Sequence, residues 1–281
     1  MRYGFVLPGG APRQQVEAAV AAEAAGWDGV FVPELNYGPD AWTLLTAMAE
    51  ATSTLRIGTM LTPLAWRRPW KLASQITTLD QLSDGRVILA IGMGAPDVTL
   101  GDYGGAEVLD RRERAALLDD GIAMLDALWS GRLSYEGTRH RLDVSGRPAL
   151  ATDFVPVQKP RVPIWVVGAW PREKSMARVV ACDGLLPIVL PDTGGYRMAE
   201  ADDLRAMVEW LDANGGRRPG FDVVMEGETS PDDEAALARV AALAGAGATW
   251  WLESRWMVPE GQDPLAVVTT RIAAGPPSSP F

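Results

Sequence analysis

Apolar residues fall along the chain in short unbroken runs, separated by longer stretches of mixed polarity. The runs are Tyr3–Leu7, Gly29–Glu34, Leu55–Leu61, Val87–Gly94, Pro163–Ala169, Gly184–Leu190, Phe221–Glu228 and Thr249–Ser254. They are continuously apolar rather than alternating, the pattern of strands buried on both faces. The stretches between them carry helical spacing. Pro12 opens the first helix, Val16, Val20, Glu23 and Trp27 fall on one side of it, and Gly26 suits its end. A second helix is expected from about Pro39 to Ala51. After Pro69, the residues Leu72, Ile76, Leu79 and Leu82 make an apolar stripe, and Val108, Ala115, Leu118, Ile122, Leu125 and Trp129 mark a long amphipathic helix. Helices also follow the fifth, sixth and seventh runs, the last of them ending near Gly245. A final helix is expected around Leu265–Ile272.

Strands and helices that alternate in this way imply right-handed crossovers and a parallel sheet. The fold class is therefore α/β. Eight such units close into a (β/α)8 TIM barrel, with an open doubly wound sheet as the runner-up. A chain of 281 residues suits one barrel domain over residues 1–275, with 276–281 as a flexible tail. Gly131–Pro163 breaks the rhythm and reads as an irregular insertion at about 131–163, with a hairpin at "LSYEGTRHRL".

One connection is too long for its job. Strand three leads to helix three through "TMLTPLAWRRP", eleven residues with two prolines, where about 2–6 residues would do. Barrel active sites sit where strands end and helices begin. The loop is either a tolerated insertion or the builder of something at the strand's carboxyl end.

Composition narrows what that something is. Hydrophobic residues make up 47% of the chain and charged residues 22%, enough for a large core. The net charge of −10 makes nucleic acid or an anionic membrane a poor partner. No apolar run approaches the ~18 residues of a membrane span, and "MRYGFVLPGGAP" lacks the apolar segment of a signal peptide. The lone Cys182 permits no intrachain disulfide and suits a reducing cytoplasm. One histidine and one cysteine cannot build a His/Cys metal cluster, so no metal is expected. A Ser-His-Asp triad would need His140, inside the insertion, and no G-x-S-x-G turn exists. Gly92–Gly94 is a bare G-x-G without the third glycine of a dinucleotide fingerprint. What remains is a mouth rich in Trp, Met, Pro and Gly with scattered carboxylates. Trp66, Trp170, Trp250, Trp251 and Trp256 fall at or near strand ends. Either they pack the core, or they line a site for a flat apolar cofactor that brings its own reactivity, such as a flavin-like ring.

The block "TLRIGTMLTPLAWRRPWKLASQITTLDQLSDGRVILAIGMG" resembles the luciferase-like monooxygenase family, which includes FMN-dependent and coenzyme F420-dependent oxidoreductases. The segments "AAEAAGWDGVFVPE", "LLDDGIAMLDALWSGRLSYEGTRHRL", "PVQKPRVPIWVVGA" and "ARVVACDGLLPI" match in the family's order, covering about Arg2–Pro191. The resemblance implies a barrel with FMN or F420 at the carboxyl ends of the strands, acting in hydride transfer or monooxygenation on a small organic substrate. It implies a bulge after strand three with a non-prolyl cis peptide, expected at Thr59–Met60, bringing Leu61, Thr62 and Trp66 around the ring. Gly92, Met93 and Gly94 are expected to line the cofactor. Gly168, Ala169, Trp170, Lys174 and Ser175 are expected to hold its phosphate, or Lys174 and Ser175 simply start a solvated helix. The family also implies a homodimer paired through outer helices.

The sequence departs from the family in two places. Where many F420-dependent members carry an Asp-His pair after strand two, this chain has Glu34, Leu35 and Asn36. A histidine often found before helix three is Arg68. Glu34 is either a general acid or base near the ring, or a solvated or ion-paired carboxylate. Arg67 and Arg68 either meet an anionic cofactor tail or are surface charges. A non-catalytic flavin-binding barrel and a phosphate-sugar lyase are the competing functions.

Overall fold

The computed structural model describes residues 1–35, 38–94, 110–146, 154–230, 232–256 and 260–277. Asn36, Val108 and the last four residues, each part of a sequence-based expectation, lie outside these. Eight parallel strands form a closed ring in which β1 (Arg2–Val6) pairs with β2 (Gly29–Val32), and β2 with β3 (Arg56–Thr59). The ring continues through β5 (Val87–Gly92), β8 (Ile164–Trp170) and β9 (Gly184–Val189) to β11 (Asp222–Gly227) and β12 (Trp250–Ser254), which returns to β1. Three small pieces lie off the ring. They are β4 (Thr62–Pro63), the antiparallel hairpin of β6 (Ser134–Glu136) and β7 (Arg141–Asp143), and β10 (Arg197–Met198). Helices follow the ring strands in order: α1 (Pro12–Ala24), α2 (Ala41–Ala51), α3 (Pro69–Leu82), α4 (Arg111–Trp129), α5 (Glu173–Val180), α6 (Ala201–Ala213), α7 (Glu234–Gly245) and α8 (Pro264–Ala273). The open doubly wound alternative is thereby excluded, since β1 and β12 close the sheet on itself.

Two layers of apolar side chains hold this together. The outer layer lies between strands and helices. The inner one fills the barrel with Val6, Phe31, Met60, Ile88, Ala90, Trp165, Leu186, Val224, Trp250 and Leu252. Phe31, Trp165 and Trp250 form an aromatic cluster with centroids 5.2–6.0 Å apart. Gly184 makes room for it, because a Cβ there would lie 2.3 Å from Trp165 Cδ1. At the amino ends of the strands the Trp165 indole donates to Asp222 at 3.1 Å, Arg2 pairs with Asp222 at 2.5 Å, and the Arg2 guanidinium stacks over Trp250. That end is plugged, so the opposite end is the one open to chemistry.

Two predicted helix faces needed correction. On α1 the fully buried residues are Gln15, Ala19 and Ala22, while Val20 is exposed. The helix lies close enough to the sheet that small residues face inward. On α3, Leu72, Ile76 and Leu79 are buried but Leu82, in the last turn, is exposed. The start of α2 also moves from Pro39 to Ala41, because the Asp40 carboxylate caps Thr43 N–H at 2.8 Å.

The sequence block "LDQLSDGR" is scaffold. Asp80 is fully buried and accepts both the backbone N–H and the side-chain amide of Gln158. Arg86 donates to the carbonyls of Ala49, Thr52 and Leu55, satisfying groups that the end of α2 leaves open. These braces hold the amino end of the barrel, away from the mouth.

Candidate active site

The loop after β3 leaves the sheet and comes back. Met60 N–H still donates to the Val32 carbonyl at 2.8 Å, extending the ladder one residue beyond β3. The next peptide, Met60–Leu61, is cis. The chain then rejoins the sheet as β4, Thr62 beside Ile91 and Pro63 beside Gly92. The expected bulge is present, but its cis bond is Met60–Leu61 and not Thr59–Met60, because strand pairing holds through residue 60.

The bulge is anchored from behind. Glu34, just past β2, is buried. Its Oε2 accepts hydrogen bonds from the Thr62 hydroxyl at 2.6 Å and from Trp42 Nε1 at 3.2 Å. Its other oxygen pairs with the Arg67 guanidinium, which also approaches Asp40 at 3.7 Å. Thr62 in turn shares a 2.9 Å hydrogen bond with Thr59, whose hydroxyl reaches the Ala90 carbonyl at 3.2 Å. Glu34 is therefore ion-paired. Arg67 is its partner rather than a free cation, and Arg68 is exposed. Thr59 and Thr62 face this network, behind the surface that Leu61 presents.

Leu61 is partly exposed and lies against Gly92. A Cβ on Gly92 would stand 3.1–3.2 Å from both Leu61 methyls and Val167. Trp66, 42% exposed, edges the same region beside Gly94, whose φ of +81° suits only glycine without strain. Met93 is partly buried, and Arg114 on α4 reaches its carbonyl at 3.4 Å.

The segment after β8 differs from its expectation. A Cβ on Gly168 would meet Leu185 at 2.3 Å and Met176 and Val179 at 3.1 Å. Gly168 thus faces outward and admits the close packing of α5, not of a ligand. The Ser175 hydroxyl accepts from Ala169 N–H at 3.0 Å and reaches the Val167 carbonyl at 3.2 Å, so it ties α5 to β8. Ala169 is buried, Trp170 partly buried, and Lys174 is exposed at the first turn of α5.

Strand alternation fixes what else faces the mouth. Trp165 and Val167 point inward on β8, so Ala169 does too. Leu186 points inward on β9, followed by Ile188. Asp222 and Val224 point inward on β11, followed by Glu226. The sequence places Glu226 among the scattered carboxylates of the strand ends without giving it a role. Its Oε2 accepts the Trp256 indole N–H at 3.0 Å. Burial pushes its carboxyl above the usual carboxylate range, although Trp256 and Ser254 donate to it. The signal was present in "DVVMEG", since an acidic residue at an inward position of a buried strand needs a reason. The other candidate groups lie elsewhere. The His140 ring packs edge-on against Trp70, and Cys182 is buried in the outer layer with its thiol pushed up to about 12 by burial. Among the described residues no metal-binding group of His, Cys, Asp and Glu occurs, and no helix is long and apolar enough to cross a membrane.

The mouth thus combines an apolar floor of Met60, Leu61, Gly92, Ala169 and Ile188 with one inward carboxylate, which fits a flat ring better than a polar substrate alone. A protein of Mycobacterium tuberculosis, provisionally named a coenzyme F420-dependent oxidoreductase, is 31% identical over 248 residues, 83% of this chain and 66% of that protein. The chain therefore spans about two thirds of the length of that curated relative. The fold matches an F420-dependent secondary alcohol dehydrogenase solved with an F420-acetone adduct (TM-score 0.70, 17% identity, 97% of this chain and 98% of that one). It also matches the oxygenating constituent of 3,6-diketocamphane monooxygenase from Pseudomonas putida, solved with FMN (TM-score 0.61, 21% identity, 84% and 71%). The luciferase-like monooxygenase profile matches residues 1–274, nearly the whole barrel, and the chain belongs to that family.

Proposed function

We propose that this barrel is an oxidoreductase that binds F420 or FMN across its mouth and acts on a small organic molecule. The carrying observation is the Met60–Leu61 bulge, backed by Glu34 and facing Gly92. Its apolar surface suits the face of a tricyclic ring, and its backbone groups suit the ring's polar edge. Met60, Leu61, Gly92, Met93, Gly94 and Trp66 would hold the ring. Lys174 and the first turn of α5 would hold the phosphate, where N–H groups without helical partners point outward. The cofactor supplies hydride transfer or, as a flavin, oxygen activation. The chain's own residues orient the ring, keep water from it and hold a proton nearby. A homodimer in a reducing cytoplasm is part of this reading, and a sedimentation mass near the 30.2 kDa of one chain would remove the dimer.

Titration with F420 and with FMN, scored by quenching of ring fluorescence, tests the reading. Saturable quenching by one of them supports it and says which cofactor is used. Quenching by neither overturns it.

A further inference from the structure

Glu226 is the only carboxylate at an inward position of the carboxyl ends of the ring strands among the described residues. On the adjoining strands Leu252 stands across from it on β12 and the β9 register leads to Ile188, while Ser254, the next inward position of β12, donates to it; none of these is titratable. Arg255, just past the end of β12, pairs with Glu228 at 3.4 Å instead. Glu253 faces the outer layer, where it takes hydrogen bonds from Thr229 and lies 3.6 Å from Arg271. Glu226 is thus partly buried, without an ion pair among the described residues, and held by two neutral donors. Glu34, the other carboxylate of the mouth, has its oxygens committed to Thr62, Trp42 and Arg67.

We propose that Glu226 is the proton-exchanging group of the mouth, giving its proton to the substrate oxygen when a carbonyl is reduced. This rests on the oxidoreductase reading, in which a reduced deazaflavin or flavin is the hydride donor. Hydride, with its two electrons, adds to the carbonyl carbon. The C=O π pair takes the proton that leaves Glu226, giving an alcohol and a carboxylate that solvent reprotonates. In the reverse direction the carboxylate accepts the hydroxyl proton as hydride departs. The raised affinity of Glu226 for its proton supports the assignment, since an acid must hold its proton at the working pH.

The test is infrared difference spectroscopy on the full chain, wild type minus Glu226→Gln, read across pH, with Trp256→Phe as a second variant. A protonated-carboxyl band is expected in wild type above the ordinary carboxylate range. It should persist to still higher pH in Trp256→Phe, which loses a donor to the anion, and should change frequency when F420 or FMN is added. With small ketones that wild type reduces, Glu226→Gln should slow turnover by about 10²–10⁴-fold at unchanged cofactor affinity. A carboxyl that ionises in the ordinary range overturns the proposal, as does Glu226→Gln with wild-type turnover and pH profile. Wild type that binds neither cofactor fails the oxidoreductase reading. Wild type that binds one while the band ignores it fails this proposal alone.

Discussion

The Thr62 hydroxyl donates a 2.6 Å hydrogen bond to Glu34, so the segment after β2 carries the bulge after β3. Glu34 was a candidate acid or base, and with both carboxylate oxygens committed to this network it is expected to act as a positioning residue. Glu34→Gln should lose the Arg67 ion pair, leaving that guanidinium only Asp40 at 3.7 Å, at a cost of about 1–3 kcal/mol. Thr62→Val removes only the strut, at about 1–2 kcal/mol. Both should weaken cofactor binding in the quenching titration. A Glu34→Gln protein that binds cofactor normally yet loses turnover would return Glu34 to catalysis.

Gly168 and Lys174 were expected to act together on the phosphate, and the structure separates them. Gly168→Val drives a side chain into Leu185, Met176 and Val179. It should lower the melting temperature and weaken FMN and riboflavin binding alike. Lys174→Ala removes an exposed cation. It should leave the melting temperature unchanged and weaken FMN, which carries a phosphate, while sparing riboflavin. The ratio of the two dissociation constants decides the outcome.

Glu23 on α1 clamps the turn before β3. Its carboxylate accepts the backbone N–H groups of Ser53, Thr54 and Leu55 at 2.6–3.0 Å and the Thr54 hydroxyl at 3.0 Å. Burial raises its pKa, but these donors outweigh that and lower it to about 2. The folded value lies below the unfolded one, so the contribution is present above about pH 4.5 and is lost as pH falls toward about 2. Glu23→Gln should destabilise by about 1–2 kcal/mol at neutral pH, allowing for partial exposure. The difference in melting temperature between variant and wild type should shrink through that acid window.

Asp120 on α4 fastens the hairpin of the insertion. It accepts the backbone N–H groups of Thr138, Arg139 and His140 at 2.7–3.2 Å and the Tyr135 hydroxyl at 3.1 Å. Burial opposes its ionisation, but these donors hold its pKa below the usual range, while burial and this contact push Tyr135 up to about 12. Asp120→Asn turns an amide N–H₂ toward backbone donors and should cost about 2–4 kcal/mol. Hydrogen exchange should show the loss first in residues 134–143, with the barrel strands still protected.

The sequence by itself determined the strand–helix alternation and pointed to a barrel, while the β1–β12 pairing excluded the open sheet. Eight apolar runs with helical spacing between them leave few ways to bury both faces of the strands, and period and order are local properties. It also marked the loop after β3, because eleven residues are too many for a plain connection. Only the tertiary structure decided what each side chain there does. Met60 keeps its strand hydrogen bond because Val32 lies across from it, which moved the cis bond by one residue. Glu34 became a strut because Thr62, Trp42 and Arg67 converge on it from other elements. Gly168 faces α5 rather than the mouth because strand alternation turns it outward. Glu226 emerged as the inward carboxylate for the same reason. Charge state and direction depend on neighbours far away in the chain, and only the closed barrel brings those neighbours together.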